Sequence, residues 1–172
     1  NNIYGIGYVG GYYVVGMNVS GVATVKYSTT LSGTWSSVSL KNYVSSSSDY
    51  TGCKMTAFKC ANGYIVVGVG CSRSDDEGYT EGHFSAILTA TNPTGTWTAN
   101  TVFSESGRFT TQIFDFAYGN GTWCFTAEVP TKHIADEDHN GGYVGWASNP
   151  TGSWSKRQIF AANGDGYPHY FS

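Results

Sequence analysis

Two stretches of the chain hold most of the side chains that could do chemistry. Residues 72–83 carry Asp75, Asp76, Glu77, Tyr79, Glu81 and His83, and residues 130–142 carry His133, Asp136, Glu137, Asp138 and His139, with Tyr143 just beyond. Several chemistries fit these residue types. Carboxylates accept hydrogen bonds from sugar hydroxyls, and tyrosine or tryptophan rings stack on sugar faces, so glycan binding comes first. A hard divalent cation such as calcium wants several oxygen ligands, which Asp136, Glu137 and Asp138 could supply in part, although the glycine and terminal glutamate of an EF-hand loop are not there. His133 and His139 with Asp136 could instead hold a transition metal, but their spacing fits no zinc pattern. Glycoside hydrolysis needs two carboxylates about 5–10 Å apart. Glu77 and Asp136 are candidates whose separation the sequence does not set. The alternative to all of these is a solvated charged loop. No Gly-x-Ser-x-Gly supports a nucleophilic serine, and no phosphate-loop or dinucleotide fingerprint occurs. No catalytic residue is therefore assigned, and no cofactor is expected, unless it is calcium.

The elements that must position these stretches form a repeat. Gly33-Thr34-Trp35-Ser36, Gly95-Thr96-Trp97-Thr98 and Gly152-Ser153-Trp154-Ser155 each follow an alternating apolar run. Trp97 follows Trp35 by 62 residues, and Trp154 follows Trp97 by 57. A second fixed point precedes each: Gly11-Tyr12-Tyr13-Val14-Val15-Gly16, Asn62-Gly63-Tyr64-Ile65-Val66-Val67-Gly68 and Asn120-Gly121-Thr122-Trp123-Cys124-Phe125-Thr126. Asn-Gly between apolar runs marks a hairpin, because a type I′ turn needs positive φ at both central residues. Each unit then has two hairpins and four strands. The strands are expected near 3–8, 12–17, 23–27 and 35–40; near 55–60, 64–69, 84–89 and 97–102; and near 113–118, 123–128, 143–147 and 154–159. The polar stretch 42–52 reads as a linker, and the tail 161–172 has room for one more strand. The two chemistry-bearing stretches fall between the second and third strands of units two and three, as long loops on one face; the corresponding link in unit one, 18–22, is short.

Four-stranded antiparallel units recurring at this length are the mark of β-propeller blades. The run Asn-Gly-Tyr-x-Val-Val-Gly, then Tyr-Ser, then Gly-Thr-Trp resembles the sialidase-type repeat with its Asp-box hairpin, as in bacterial secreted and phage tail proteins, over essentially the whole chain. The box is degenerate. Thr30, Asn92 and Asn149 stand where its aspartate belongs, and glycine sits two residues before tryptophan instead of three. The resemblance implies an all-β propeller with blades at about 1–40, 54–103 and 109–160. It implies a structural use for the box, and Trp35, Trp97 and Trp154 are expected to pack between blades. A sialidase would also need an arginine cluster, and only Arg73, Arg108 and Arg157 are present. Three blades do not close a ring, since propellers use about 4–8. Completion is expected from a second copy making six blades or from further sequence, or else the units assemble in some other way. That the chain starts at Asn1 fits either a removed leader or a piece of a longer protein.

Composition agrees with an all-β chain: 16% aromatic residues, 23 glycines, and 12% charged residues against a usual quarter. A net charge of −3 argues against nucleic acid as partner, and no apolar run approaches the ~20 residues of a membrane-spanning helix. The low-charge, Tyr/Ser/Thr/Gly-rich surface suits the outside of a cell or a virion, with a glycan or cell-surface receptor as partner. Of four cysteines, Cys53 and Cys71 face each other across the Asn62-Gly63 hairpin if a bulge absorbs one residue, so any disulfide is expected there. Cys124 reads as a small buried hydrophobe and Cys60 as a free thiol. Asn18-Val19-Ser20 and Asn120-Gly121-Thr122 fit the N-glycosylation pattern. The reading is a non-catalytic binding or structural propeller. A carbohydrate-active enzyme fragment and a purely self-assembling module are the alternatives.

Overall fold

The computed structural model describes residues 1–44, 50–74, 80–106, 111–134 and 137–160, and within these leaves out the side chains of 50–51, 73–74, 80–83, 105–106, 130–134, 137–140 and 160. The expected tail strand at 161–172 lies outside the described residues. Among the described residues there are twelve strands: β1 (Ile3–Val9), β2 (Tyr12–Val19), β3 (Val22–Ser28), β4 (Ser36–Ser39), β5 (Tyr50–Ala61), β6 (Tyr64–Ser74), β7 (Thr80–Ala90), β8 (Thr98–Ser106), β9 (Gln112–Gly119), β10 (Thr122–Ile134), β11 (Glu137–Ala147) and β12 (Ser155–Phe160). They form three antiparallel meanders of four, here called blades; a single parallel bridge, Val22 to Cys53, links the first two. One short helix, α1 (Lys41–Val44), opens the stretch expected to be all linker, and Tyr50–Gly52 at its other end is already strand. The result is an all-β, propeller-like fold.

The turns form where the sequence asks for them. Asn62 and Gly63 have φ of 46° and 75°, Asn120 and Gly121 48° and 74°, and Gly10 and Gly11 61° and 85°, the left-handed pair that a type I′ hairpin requires. Ser20-Gly21 does the same between β2 and β3. Asn92 and Asn149, standing where the resemblance expects aspartate, serve as acceptors. Asn92 Oδ1 takes hydrogen bonds from Thr94 N–H (2.9 Å) and Thr94 Oγ1 (2.8 Å), and Asn149 Oδ1 does the same for Thr151 (3.1 and 2.8 Å). The following tryptophans close these turns: Trp97 Nε1 donates to Pro93 O and Trp154 Nε1 to Pro150 O.

Each blade has a front, toward the blade before it, and a rear, toward the blade after it. Strand register sorts the residues. On the front, Ile6 pairs with Val15, Phe58 with Val67 and Phe116 with Phe125; on the rear, Gly5 pairs with Gly16, Ala57 with Gly68 and Asp115 with Thr126. Every first strand also has a register shift that turns one more bulky residue forward: Ile3, Met55 and Ile113, opposite Met17, Val69 and Ala127. Blades therefore meet bulk against glycine. A Cβ on Gly16 would lie 2.2 Å from Phe58 Cδ2 and 2.9 Å from Met55 Sδ, and one on Gly68 would lie 3.1 Å from Ile113 Cβ. Cys60 fills the space over Gly7 in the same way. This close approach gives two buried clusters, one between blades one and two and one between blades two and three.

A polar clamp reinforces the first contact. Asn18, buried on the rear of β2, accepts from Met55 N–H (2.8 Å) and donates through Nδ2 to Met55 O (3.1 Å), satisfying the backbone at the β5 bulge. Its Nδ2 also lies 3.0 Å from Tyr4 Oη. The Asn18-Val19-Ser20 pattern is thus occupied structurally in the folded chain, whereas Asn120 sits exposed in a turn.

Trp97 and Trp154 are buried in the inter-blade clusters, Trp97 beside Tyr43 of α1 and Trp154 against Phe116 and Phe125. Trp35 is only half-buried, because no described blade precedes the first. Cys124 is likewise half-buried instead of enclosed, since it lies on the rear of blade three, where no described blade follows. Cys53 and Cys71 are direct cross-strand partners, aligned by the Met55/Ala57 bulge, and both are buried free thiols. The Cys71 side chain hydrogen-bonds Cys53, which lowers the Cys53 pKa and raises that of Cys71. Burial pushes the Cys60 thiol up to about 12.

These contacts predict three behaviours. Gly16→Val should destabilise the chain by at least about 1–3 kcal/mol through overpacking, read as a lower urea midpoint at unchanged slope. Asn18→Ala strands both backbone groups of Met55, each worth about 1–3 kcal/mol when buried without a partner. The same denaturation series should show it to be worse than Asn120→Ala. Cys60 should stay a thiol in the native state from neutral pH to about pH 11, so iodoacetamide should label it only after unfolding. Because its folded pKa lies above the unfolded value of 9.0, its contribution to stability is complete below pH 9 and is lost as pH rises toward 12.

Candidate functional site

The stretches expected to be long loops are mostly strand. β6 and β7 continue past the level where the first blade turns, pairing Ser72 with His83, Arg73 with Gly82 and Ser74 with Thr80. β10 and β11 go further, pairing Pro130 with Asn140, Lys132 with His139, His133 with Asp138 and Ile134 with Glu137, with a register shift between Pro130 and Lys132. The β2–β3 hairpin stops at Val19 and Val22. The correction has a local cause: with strands already paired and facing the next sheet, extending the ladder satisfies the backbone of polar residues that a loop would leave to water.

Both long hairpins run off the same end of adjacent sheets. The link between them is buried: Ser85 Oγ on β7 donates to Thr111 O (2.9 Å) and lies 2.5 Å from Thr111 Oγ1, just before β9. Thr111 O also packs over Gly70, 3.4 Å from where a Cβ would stand. Val129, Gly141 and Gly142 are buried at the base of the third-blade hairpin. The base is thus seated between blades two and three, and Glu81, His83, His133, Glu137, Asp138 and His139 lie further along its strands.

Of the residues singled out, Glu81 and His83 are in β7, His133 in β10, and Glu137, Asp138 and His139 in β11. The register puts His133 opposite Asp138. Asp75, Asp76, Glu77, Tyr79 and Asp136 lie outside the described residues. Tyr143 is at the base, half-buried, its ring edge-on to Phe103 with centroids 5.4 Å apart, so it packs between blades. Among the described residues no group of three or more His, Cys, Asp and Glu gathers to hold a metal ion, and no helix is long and apolar enough to cross a membrane.

The sequence reading passed over several residues that the structure makes prominent. Trp123 is fully buried in the contact between blades two and three, and its match to Tyr13 and Ile65 in the repeat was the available signal. Lys156 Nζ donates to Val102 O and sits 4.6 Å from the centre of the Phe103 ring, joining β12 to β8. Trp146 is exposed on the rear of blade three, on the face shared by Asp115, Thr126 and Arg157. Period-two alternation along β11 carries that signal.

No family model matches the chain, and no curated protein matches it. Among solved structures, it is similar to an exo-1,5-alpha-L-arabinanase from a bovine ruminal metagenomic library, at 10% identity and a TM-score of 0.41, over 94% of this chain and 73% of that one. A likeness that distant carries no statement about activity, and the fold described above rests on this chain's own strands.

Proposed function

We propose that this chain is a non-catalytic binding module of β-propeller type, working outside the cell or on a virion surface, and that it contacts glycans with the outer ends of the β6–β7 and β10–β11 hairpins. The repeat it uses is read as a degenerate sialidase-type blade. One observation supports the proposal: two neighbouring hairpins run on past the level of the first blade's hairpin, their sheets joined by the Ser85–Thr111 contact, and carry Glu81, His83, His133, Glu137, Asp138 and His139 in their outer strand segments. Carboxylates and imidazoles exchange hydrogen bonds with sugar hydroxyls, and a base packed between blades limits the ordering entropy lost on binding. Asp75, Asp76, Glu77, Tyr79, Glu81, His83, His133, Asp136, Glu137, Asp138 and His139 are the proposed contact set. Asp136, Asp138 and His139 are the positions at which calcium would assist if a cation takes part.

A glycan array is the direct test. The expected outcome is binding to a restricted set of glycans, reduced at least tenfold by Asp136→Ala with Asp138→Ala and unchanged by Asn120→Ala, which lies in a turn remote from both hairpins. Uniform silence across the array rejects glycan contact. Steady turnover of chromogenic glycosides, abolished by Glu77→Gln or Asp136→Asn, would move the chain to the carbohydrate-active enzymes. Titration with calcium and EDTA separates a cation-assisted site from a direct one.

A further inference from the structure

We propose that Cys53 and Cys71 close a cross-strand disulfide when the chain folds in the presence of a low-molecular-weight disulfide, and that the folded blades then shield that bond from reductants. The two residues are direct partners across β5 and β6. Partnered Cα atoms in antiparallel strands stand about 4.5 or 5.5 Å apart, according to the type of pair. Both spacings fall within the span of about 4.4–6.8 Å that a disulfide bridges, so the backbone is already spaced for the bond. The Cys71 side chain hydrogen-bonds Cys53, which brings the two sulfurs into contact. Register makes the pair. Counted from the Asn62-Gly63 turn, Cys53 would face Ser72, and the bulge between Met55 and Ala57 moves it to Cys71. The pair is particular to the second blade. Ile113 and Ala127 match Met55 and Val69 in the third, and the residues two further out there are Thr111 and Val129.

Burial decides when the bond forms. Cys53 and Cys71 are 1% and 2% exposed, inside the cluster between blades one and two, and the backbone of Val22 on the first blade bridges to Cys53. A reagent has no approach to either sulfur once the first blade is in place, so exchange takes place on the β5–β6 hairpin before the blades pack. One thiolate attacks a sulfur of the small disulfide and expels a thiolate. The other thiol then gives up its proton, attacks the mixed disulfide and expels the second thiolate. The pair loses two hydrogens and two electrons, and the reagent leaves as two thiols. Cys60, over Gly7 on the front of the same blade, and Cys124, on the rear of the third, face neither sulfur. The bond closes the end of the hairpin opposite the Asn62-Gly63 turn, one residue before β6 enters the long hairpin at the Ser72–His83 pair. A cross-link there restricts the unfolded chain and so favours the folded one.

Refolding the full chain from urea with oxidised glutathione or with dithiothreitol, followed by peptide mapping in a mass spectrometer, tests this. A peptide joining Cys53 to Cys71 is expected in the oxidised sample. That sample should unfold at a higher urea midpoint than the reduced one. Dithiothreitol should leave the bond intact in the folded chain and cleave it once urea has unfolded the chain. Cys53→Ala with Cys71→Ala should remove both the cross-link and the gap between the midpoints. Cys60→Ala with Cys124→Ala should keep both, which holds the test if the first variant folds poorly. Absence of the Cys53–Cys71 peptide from the oxidised sample overturns the proposal. So does a cross-link that lowers the midpoint, or one that dithiothreitol removes from the folded chain as fast as from the unfolded one.

Discussion

The close approach of bulky front faces to glycine-bearing rear faces is the constraint on which the structure depends. A β-sheet packs at a spacing set by its side chains, and flat sheets in series would keep the blades too far apart for a continuous core. Glycine at position 16 removes a Cβ that would stand 2.2 Å from the Phe58 ring, so blade two can sink a bulky front residue into blade one. Gly68 accepts Ile113 by the same means. The bulge repeated in β1, β5 and β9 serves this contact, because the shift turns Ile3, Met55 and Ile113 to the front beside Ile6, Phe58 and Phe116.

The polar contacts follow from that packing. Once blades approach so closely, the backbone at the β5 bulge is buried and must be satisfied from the neighbouring sheet, and the Asn18 carboxamide does so with one acceptor and one donor. Ser85 and Thr111 play the comparable part between blades two and three. The Asn92 and Asn149 turns, locked by their own threonines and by the Trp97 and Trp154 indoles, hold the opposite end of the sheets. With both ends of each blade fixed, the long hairpins can leave the fold from a packed base. Tyr143, which looks like a ligand residue in the sequence, is instead part of that base.

Much of this was legible in the residues. The Asn-Gly pairs gave the hairpins, the recurring Trp gave the unit, and the arithmetic of the Asn62-Gly63 turn gave the Cys53–Cys71 partnership together with the bulge it required. The candidate site was less legible. Acidic and polar composition reads as loop, yet His133, Asp138 and His139 lie in paired strands, because backbone pairing can extend wherever a partner strand is in register, whatever the side chains.

The sequence by itself determined the all-β class, the turn geometry and where each of the twelve described strands lies, though not how far those of the long hairpins run, since these depend on local φ preference and on period-two alternation, which act over a few residues. Only the tertiary structure decided which face of each strand is front and which is rear. That choice made Asn18 a buried clamp instead of a glycosylation acceptor, and left Trp35 and Cys124 half-covered while Trp97 and Trp123 are enclosed. Burial at these positions depends on whether another sheet stands opposite, and no residue's own neighbours in the chain report that.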